Sequence, residues 1–349
     1  SQFSAGLWIG GGATPNHLKK IRYTDGWHMG ALDILSGERG DSEPAQIVSC
    51  PCCNRTLSIT DSGLSGTARL DLVVMSTSES DISAEIGKLA GITFDTINVT
   101  EAGSVRHANP SYYTISLTIE QGNRDIKPDT VDKMWNNITN HLAQAGVNLT
   151  LVPFRASRPG YFKRIYLKQN GEPLTYDFEI FCPNPQCELH VQWFRGSPAG
   201  SIHNRRPADH QAEKSVSGIP LPDGNAADDV QDAFQENGNY IADRIPIPAL
   251  IVDDQVYSKI PAIIVSTVDK FARPAFEPKS SSLFGKVDRH HKIHGYYSRG
   301  WYYDGKDPSP HSGTHQETAM LNPPDLILQD ELHLIEGPLG SMVGIYETA

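Results

Sequence analysis

Two short cysteine clusters put the strongest constraint on how this chain can fold. Cys50-Pro51-Cys52-Cys53 holds a C-x-x-C pair, Cys50 and Cys53, and Cys182-Pro183-Asn184-Pro185-Gln186-Cys187 holds a C-x4-C pair. Short-spaced pairs beside strand-like sequence suit tetrahedral thiolate ligation of Zn2+, in the closed four-sulfur form that is structural. The alternative use is a set of buried or redox-active thiols. If both pairs close on one ion, two distant segments must meet, and the chain between them must form a self-contained insertion. Cys52 could replace Cys50 or Cys53, but the C-x-x-C spacing leaves it as the spare thiol. An odd number of cysteines, five in all, in a chain with no visible export signal points to metal chemistry in a reducing, cytoplasmic compartment.

The insertion, residues 62–155, has the order of a ferredoxin-like α+β plait, βαββαβ. Leu70 to Met75 is a strand, and Asp81 to Leu89 is a short helix with Ile82, Ile86 and Leu89 at helical spacing. Ile92 to Val99 is a second strand. Tyr113, Ile115, Leu117 and Ile119 alternate with polar residues as a third. Val131, Met134, Trp135, Ile138, Leu142 and Ala145 mark an amphipathic helix stopped at Gly146, and Leu149 to Phe154 is the fourth strand.

The rest divides around this unit. Residues 1–45 read as strand, Gly-rich loop and helix: Gly6 to Ile9, then Gly10-Gly11-Gly12, then Thr14-Pro15 as a helix start ahead of His17 to Ile21. Residues 46–61 form the first zinc knuckle, and 156–195 a hairpin turning at Asn170-Gly171 and the second knuckle. Residues 196–246 read as a flexible linker. Residues 247–349 return to strand-rich sequence, with a loop from Pro274 to Leu321 that carries His290, His291, His294, His311 and His315. Those histidines read as a polar loop, with a second metal site as the alternative.

Composition narrows the partners. A net charge of −11 excludes a general polyanion binder, so nucleic-acid contact needs local basic groups. No apolar run approaches the roughly 20 residues of a membrane span.

Near the C-terminal end, Asp325-Leu326-Ile327-Leu328-Gln329 reads as a buried parallel strand running into Asp330-Glu331-Leu332-His333. Ligands of open α/β sheets bind beyond the carboxyl ends of the strands. Two acids there suit ATP hydrolysis: Asp330 to hold Mg2+, Glu331 to orient and deprotonate the attacking water. His333 could link the nucleotide state to a neighbouring motif. A second apolar strand, Ala262 to Val265, ends in Ser266-Thr267-Val268-Asp269-Lys270.

The ordered set of double glycine, Thr-x-x-basic and Asp-Glu-x-His resembles the first RecA-like lobe of superfamily-2 helicases. Gly6 to Asn16, Ser266 to Phe271 and Pro323 to Ala349 are similar to the DISARM anti-phage helicase family, DrmA, and its relatives that work with a DrmB-like partner. The resemblance implies an ATP-dependent DNA translocase or DNA-binding ATPase in which Gly10, Gly11, Thr267 and Lys270 contact the nucleic-acid backbone. It implies an α/β fold: part of a RecA-like lobe with a parallel sheet, carrying the zinc ribbon and plait as an insertion. None of Gly87-Lys88, Gly285-Lys286 or Gly305-Lys306 continues into a phosphate-binding loop. The expectation is therefore an internal piece of a larger motor, inactive as an ATPase by itself. A zinc-stabilised binding module without a motor role, and a metal-dependent hydrolase using the histidines, are the competing readings.

Overall fold

The computed structural model describes residues 4–24, 26–63, 68–76, 82–88, 96–101, 111–119, 126–167, 173–184, 186–187, 189, 246–267, 270, 277–291, 295–298 and 315–328. The chain divides into two compact units. One comprises Ser1–Ile34, Arg39–Pro44 and Pro248–Ala349; the other comprises Leu35–Glu38 and Ala45–Ile247.

The first unit holds β1 (Ala5–Trp8), then a hairpin of β2 (Ile21–Tyr23) and β3 (Gly26–His28), then the first four residues of α1 (Ala31–Ser36). This corrects the expected helix after Thr14-Pro15. His17 and Leu18 accept the amides of Ala31 and Leu32 at 2.9 Å each, so the segment lines the start of α1 instead of coiling itself. Thr14 is fully buried, with its side chain inside the fold, not capping a helix at the surface.

The second unit holds β4 (Ala68–Ser76), α2 (Ile82–Gly87), β5 (Thr96–Glu101), β6 (Ser111–Ile119), α3 (Pro128–Gln144), β7 (Leu149–Leu151), β8 (Tyr161–Leu167) and β9 (Pro173–Ile180). Four of these strands form one antiparallel sheet in the order β5-β6-β4-β7. Pro128 opens α3, where a missing amide costs nothing. The helix closes where Gly146 takes φ +80°, a conformation glycine reaches without strain. Its Val131, Trp135, Ile138 and Leu142 pack with Leu70, Leu72, Val74, Ile115, Leu117 and Ile86 into one core. Strand β4 is buried on both faces. Asp71, fully buried between Leu70 and Leu72, meets Arg55 at 2.9 Å and accepts the Ser116 hydroxyl at 2.5 Å. That pair fastens the first cysteine knuckle to the sheet.

The chain returns to the first unit with β10 (Ala249–Leu250), α4 (Asp253–Lys259) and β11 (Ile263–Ser266). β1 lies between β10 and β11 and is parallel to both. Trp8, Leu250, Val256, Tyr257 and Leu283 form the core beside this sheet. The stretch expected to be a histidine loop is more ordered than its polar sequence suggests. It contains a 3-10 helix (Pro278–Phe284) and three short antiparallel strands, β12 (Arg289–His291), β13 (Gly295–Tyr297) and β14 (His315–Glu317), in the order β13-β12-β14. Strands of three residues are too short for alternation to announce them.

Asp325 to Leu328 also departs from expectation. These residues form no strand, and Leu326 and Leu328 are 70% and 84% exposed. A buried parallel strand needs cover on both faces, and this apolar run pairs with nothing among the described residues. The segment 190–245, which contains most of the expected linker, lies outside the described residues. No helix among them is long and apolar enough to cross a membrane.

Candidate metal centre and sheet-end loops

The first knuckle is a tight reversal. Cys50 donates its amide to Arg55 and accepts from Asn54, both at 2.8 Å, and Ser49 bridges Thr56. The turn requires Asn54 to adopt φ +56°, a left-handed state that asparagine tolerates better than most residues. The second knuckle leaves β9 at Phe181-Cys182. Asn184, itself buried, accepts the Gln186 amide on its side chain and the Cys187 amide on its carbonyl, both at 3.1 Å.

Gly160 stitches the two together. Its amide donates to Leu57 at 2.9 Å and its carbonyl accepts from Phe181 at 2.9 Å. A β-carbon there would stand 2.6 Å from that of Leu57, so only glycine lets the segments come this close.

The result brings Cys50, Cys53, Cys182 and Cys187 together, with all four sulfurs within 4.8 Å of one another. Cys50 and Cys187 are 3.7 Å apart, and Cys53 and Cys182 are 3.5 Å apart. Tetrahedral zinc thiolates, with bonds of about 2.3 Å, have sulfur–sulfur edges of about 3.8 Å. A disulfide would need about 2.05 Å. Four sulfur donors at that spacing could hold a metal ion such as zinc. Cys52 is exposed and outside the cluster.

The electrostatics agree with a cation site. Hydrogen bonds from Cys182 and Cys187 hold the Cys50 thiol far below its usual range. The Cys182 thiol is pushed far up by its bonds to Cys187 and Cys50 and by burial. One sulfur ionises easily and its neighbours resist following, a conflict that a divalent cation at the centre removes.

In the other unit, the loops that leave β1 and β11 sit at the same, carboxyl, end of the parallel sheet. Trp8 registers with Ser266, and the Thr267 amide donates to the Trp8 carbonyl at 3.3 Å. Gly10 closes the glycine turn by accepting the amides of Ala13 at 2.9 Å and Thr14 at 3.4 Å. Gly11 and Thr267 are exposed and Gly10 is half-buried.

Lys270 differs from its expected position. Its side chain is 1% exposed, and the ammonium donates to Asp253 at 2.5 Å and to Asn16 at 2.9 Å. It faces inward, because the carboxylate at the start of α4 and the amide following the glycine turn both converge on it. Asp253 also accepts from the Tyr257 hydroxyl at 3.4 Å, which in turn accepts from the Trp8 indole at 3.0 Å.

Asp254 turns toward a different set of partners. It accepts the Leu18 amide at 3.0 Å and meets His17 at 3.5 Å and Lys279 at 3.3 Å. Burial opposes its charge, but the His17 hydrogen bond, the Lys279 ammonium and the Leu18 amide together hold the carboxyl down at about 2.

Asp253 and Asn16 were missed in the sequence, although the signal was there. Leu250-Ile251-Val252-Asp253-Asp254 is another apolar run ending in two acids. Asp330, Glu331 and His333 lie outside the described residues. His290 packs against Tyr296 at 4.7 Å, and burial lowers its proton affinity. Among the described residues the four cysteines are the group that could hold a metal ion.

No family profile matches the chain. Over 115 residues it is 42% identical to the DISARM protein DrmA of Bacillus paralicheniformis, a match covering 33% of the chain and 10% of that relative. The likeness supports a DrmA-related protein.

Proposed function

We propose that the chain is part of a superfamily-2 helicase-like ATPase that binds or moves along DNA in a bacterial anti-phage defence system. The relative's name points to that system. The observation that carries the reading is the meeting of the Gly10 turn and Thr267 at the carboxyl end of one parallel sheet, where open α/β sheets bind their ligands. In this reading the sheet belongs to a RecA-like lobe. The Gly10-Gly11 backbone and the Thr267 hydroxyl contact the DNA backbone, and Lys270 positions them from behind. Asp330 binds the Mg2+ of ATP, Glu331 orients the attacking water, and His333 couples the two ends of the site. A DrmB-like protein is the expected partner.

The other unit fits a ferredoxin-like plait inserted in the lobe, supported by its antiparallel order β5-β6-β4-β7 with helices over one face. Zinc, held by Cys50, Cys53, Cys182 and Cys187, would supply folding energy and no chemistry.

The test is DNA-stimulated ATP hydrolysis by the intact protein. Glu331→Gln should abolish turnover and leave DNA binding intact, and Thr267→Ala should weaken DNA binding. An intact protein that binds DNA but hydrolyses no ATP would favour the alternative, a zinc-stabilised binding module. The four-cysteine cluster is what supports that alternative.

A further inference from the structure

The β2–β3 hairpin is held firmly at its base, and its strands carry exposed side chains. Asp33, in the first turn of α1, accepts the amide of Lys20 at 2.8 Å and that of Gly30 at 3.2 Å, one from each side of the hairpin. Gly30 passes so close to Lys19 that a β-carbon would stand 2.3 Å from that residue's carbonyl carbon. Above this clamp, Trp27 is 57% exposed, and Tyr23 and Ile21 are exposed as well.

The register decides which side chains share a face. Arg22 stands opposite Trp27, and Ile21 opposite His28. Alternation therefore places Lys20, Arg22 and Trp27 on one face, and the Lys20 ammonium lies 5.6 Å from the Trp27 ring centre. The other face is engaged by its own unit: the Tyr23 hydroxyl meets His17 at 3.0 Å, and its ring packs edge-on against His28 at 5.0 Å.

We propose that this Lys20–Arg22–Trp27 face is a stacking platform for a single-stranded nucleic acid, a contact separate from the glycine turn and Thr267. An indole flanked by two cations offers what such a strand needs: a flat surface for one base, and positive charge for the phosphates on either side. In a chain of net charge −11, a paired cation set beside an exposed indole is a local departure from the overall sign. A membrane surface would need a broader apolar face than one ring. The rigid base also lowers the ordering cost on binding, because the hairpin need not fold around the strand.

The inference rests on the nucleic-acid reading above and adds to it a preference for unpaired strands. It is tested in the intact protein with a labelled oligothymidylate and a duplex of equal length. Trp27→Ala should weaken oligothymidylate binding about tenfold or more and change duplex binding far less. Trp27→Phe should keep most of the affinity, and Lys20→Ala/Arg22→Ala should lower the salt dependence of binding. Addition of oligothymidylate should quench tryptophan fluorescence in the parent and less so in Trp27→Phe. Unchanged oligothymidylate binding by Trp27→Ala, or equal losses on both probes, would overturn the platform. So would a Trp27 that acrylamide cannot reach in the free protein, which would mark it as a contact with protein. A parent that binds neither probe would sink the nucleic-acid reading as well, whereas binding that responds to Thr267→Ala but not to Trp27→Ala would sink the platform alone.

Discussion

A lysine at 1% exposure cannot be a phosphate contact in the way a surface lysine is. Its ammonium already has a carboxylate and an amide oxygen, and exposing it would leave Asp253 as a buried, uncompensated charge. Removing one partner of a buried pair costs about 3–5 kcal/mol, while replacing both with apolar residues is often neutral. Lys270→Met should therefore destabilise the protein strongly, and Lys270→Met/Asp253→Leu should recover most of the loss in thermal or denaturant unfolding. DNA binding supplies a second readout. A lost phosphate contact flattens the dependence of log K on log salt by about 0.9 on duplex DNA. The double variant should keep the parent slope, and a slope reduced by one charge would return Lys270 to direct contact. Asp254 makes a different prediction at the same scale. Its folded pKa of about 2 lies below the ordinary 3.8. The carboxylate therefore adds stability above about pH 4, and that contribution is lost as pH falls through about 2, amounting to about 2 kcal/mol. Asp254→Asn should be less stable than the parent at neutral pH and match it near pH 2. A gap between the two that does not close on acidification would exclude this role.

Elements were legible where a long period was available. Val131, Trp135, Ile138 and Leu142 announce α3 by spacing alone, and they are the residues that the helix buries. The alternation of Ile115 and Leu117 gave β6 in the same way. The β2–β3 hairpin was not read, although Asp25-Gly26 is a hairpin signal between Tyr23 and Trp27. Its strands are three residues long and wholly or largely exposed, so no hydrophobic pattern marks them. The Thr14-Pro15 helix start was a local signal overruled by tertiary hydrogen bonds from α1. The four cysteines could be picked out because ligand chemistry fixes spacing. The inward turn of Lys270 could not, because it depends on Asp253 and Asn16, which are distant in sequence and join it only through the parallel sheet.

At the scale of the molecule, the four clustered cysteines all belong to one unit, and that unit places them at the two ends of a long excursion of the chain. Closing a long loop on one ion restricts the unfolded chain more than a short clip would, because closure entropy grows with loop length. An ion bound only by the folded arrangement stabilises it by mass action. The purified chain should carry one zinc per molecule by elemental analysis, and Cys187→Ser should lose it while Cys52→Ser keeps it. A strong chelator should lower the melting temperature of the unit containing Trp135, followed through amide protection in α3. Protection around Trp8 and Tyr257, which pack with Leu250, Val256 and Leu283 in the other unit, reports separately on the sheet that carries the glycine turn. Loss at α3 with retention at Trp8 would mark the ion as the staple of the inserted unit. A chelator that removes the zinc and leaves α3 protection unchanged would show that Gly160, Arg55 and Asp71 hold the knuckles together without it, and that the cysteines serve some purpose other than stability.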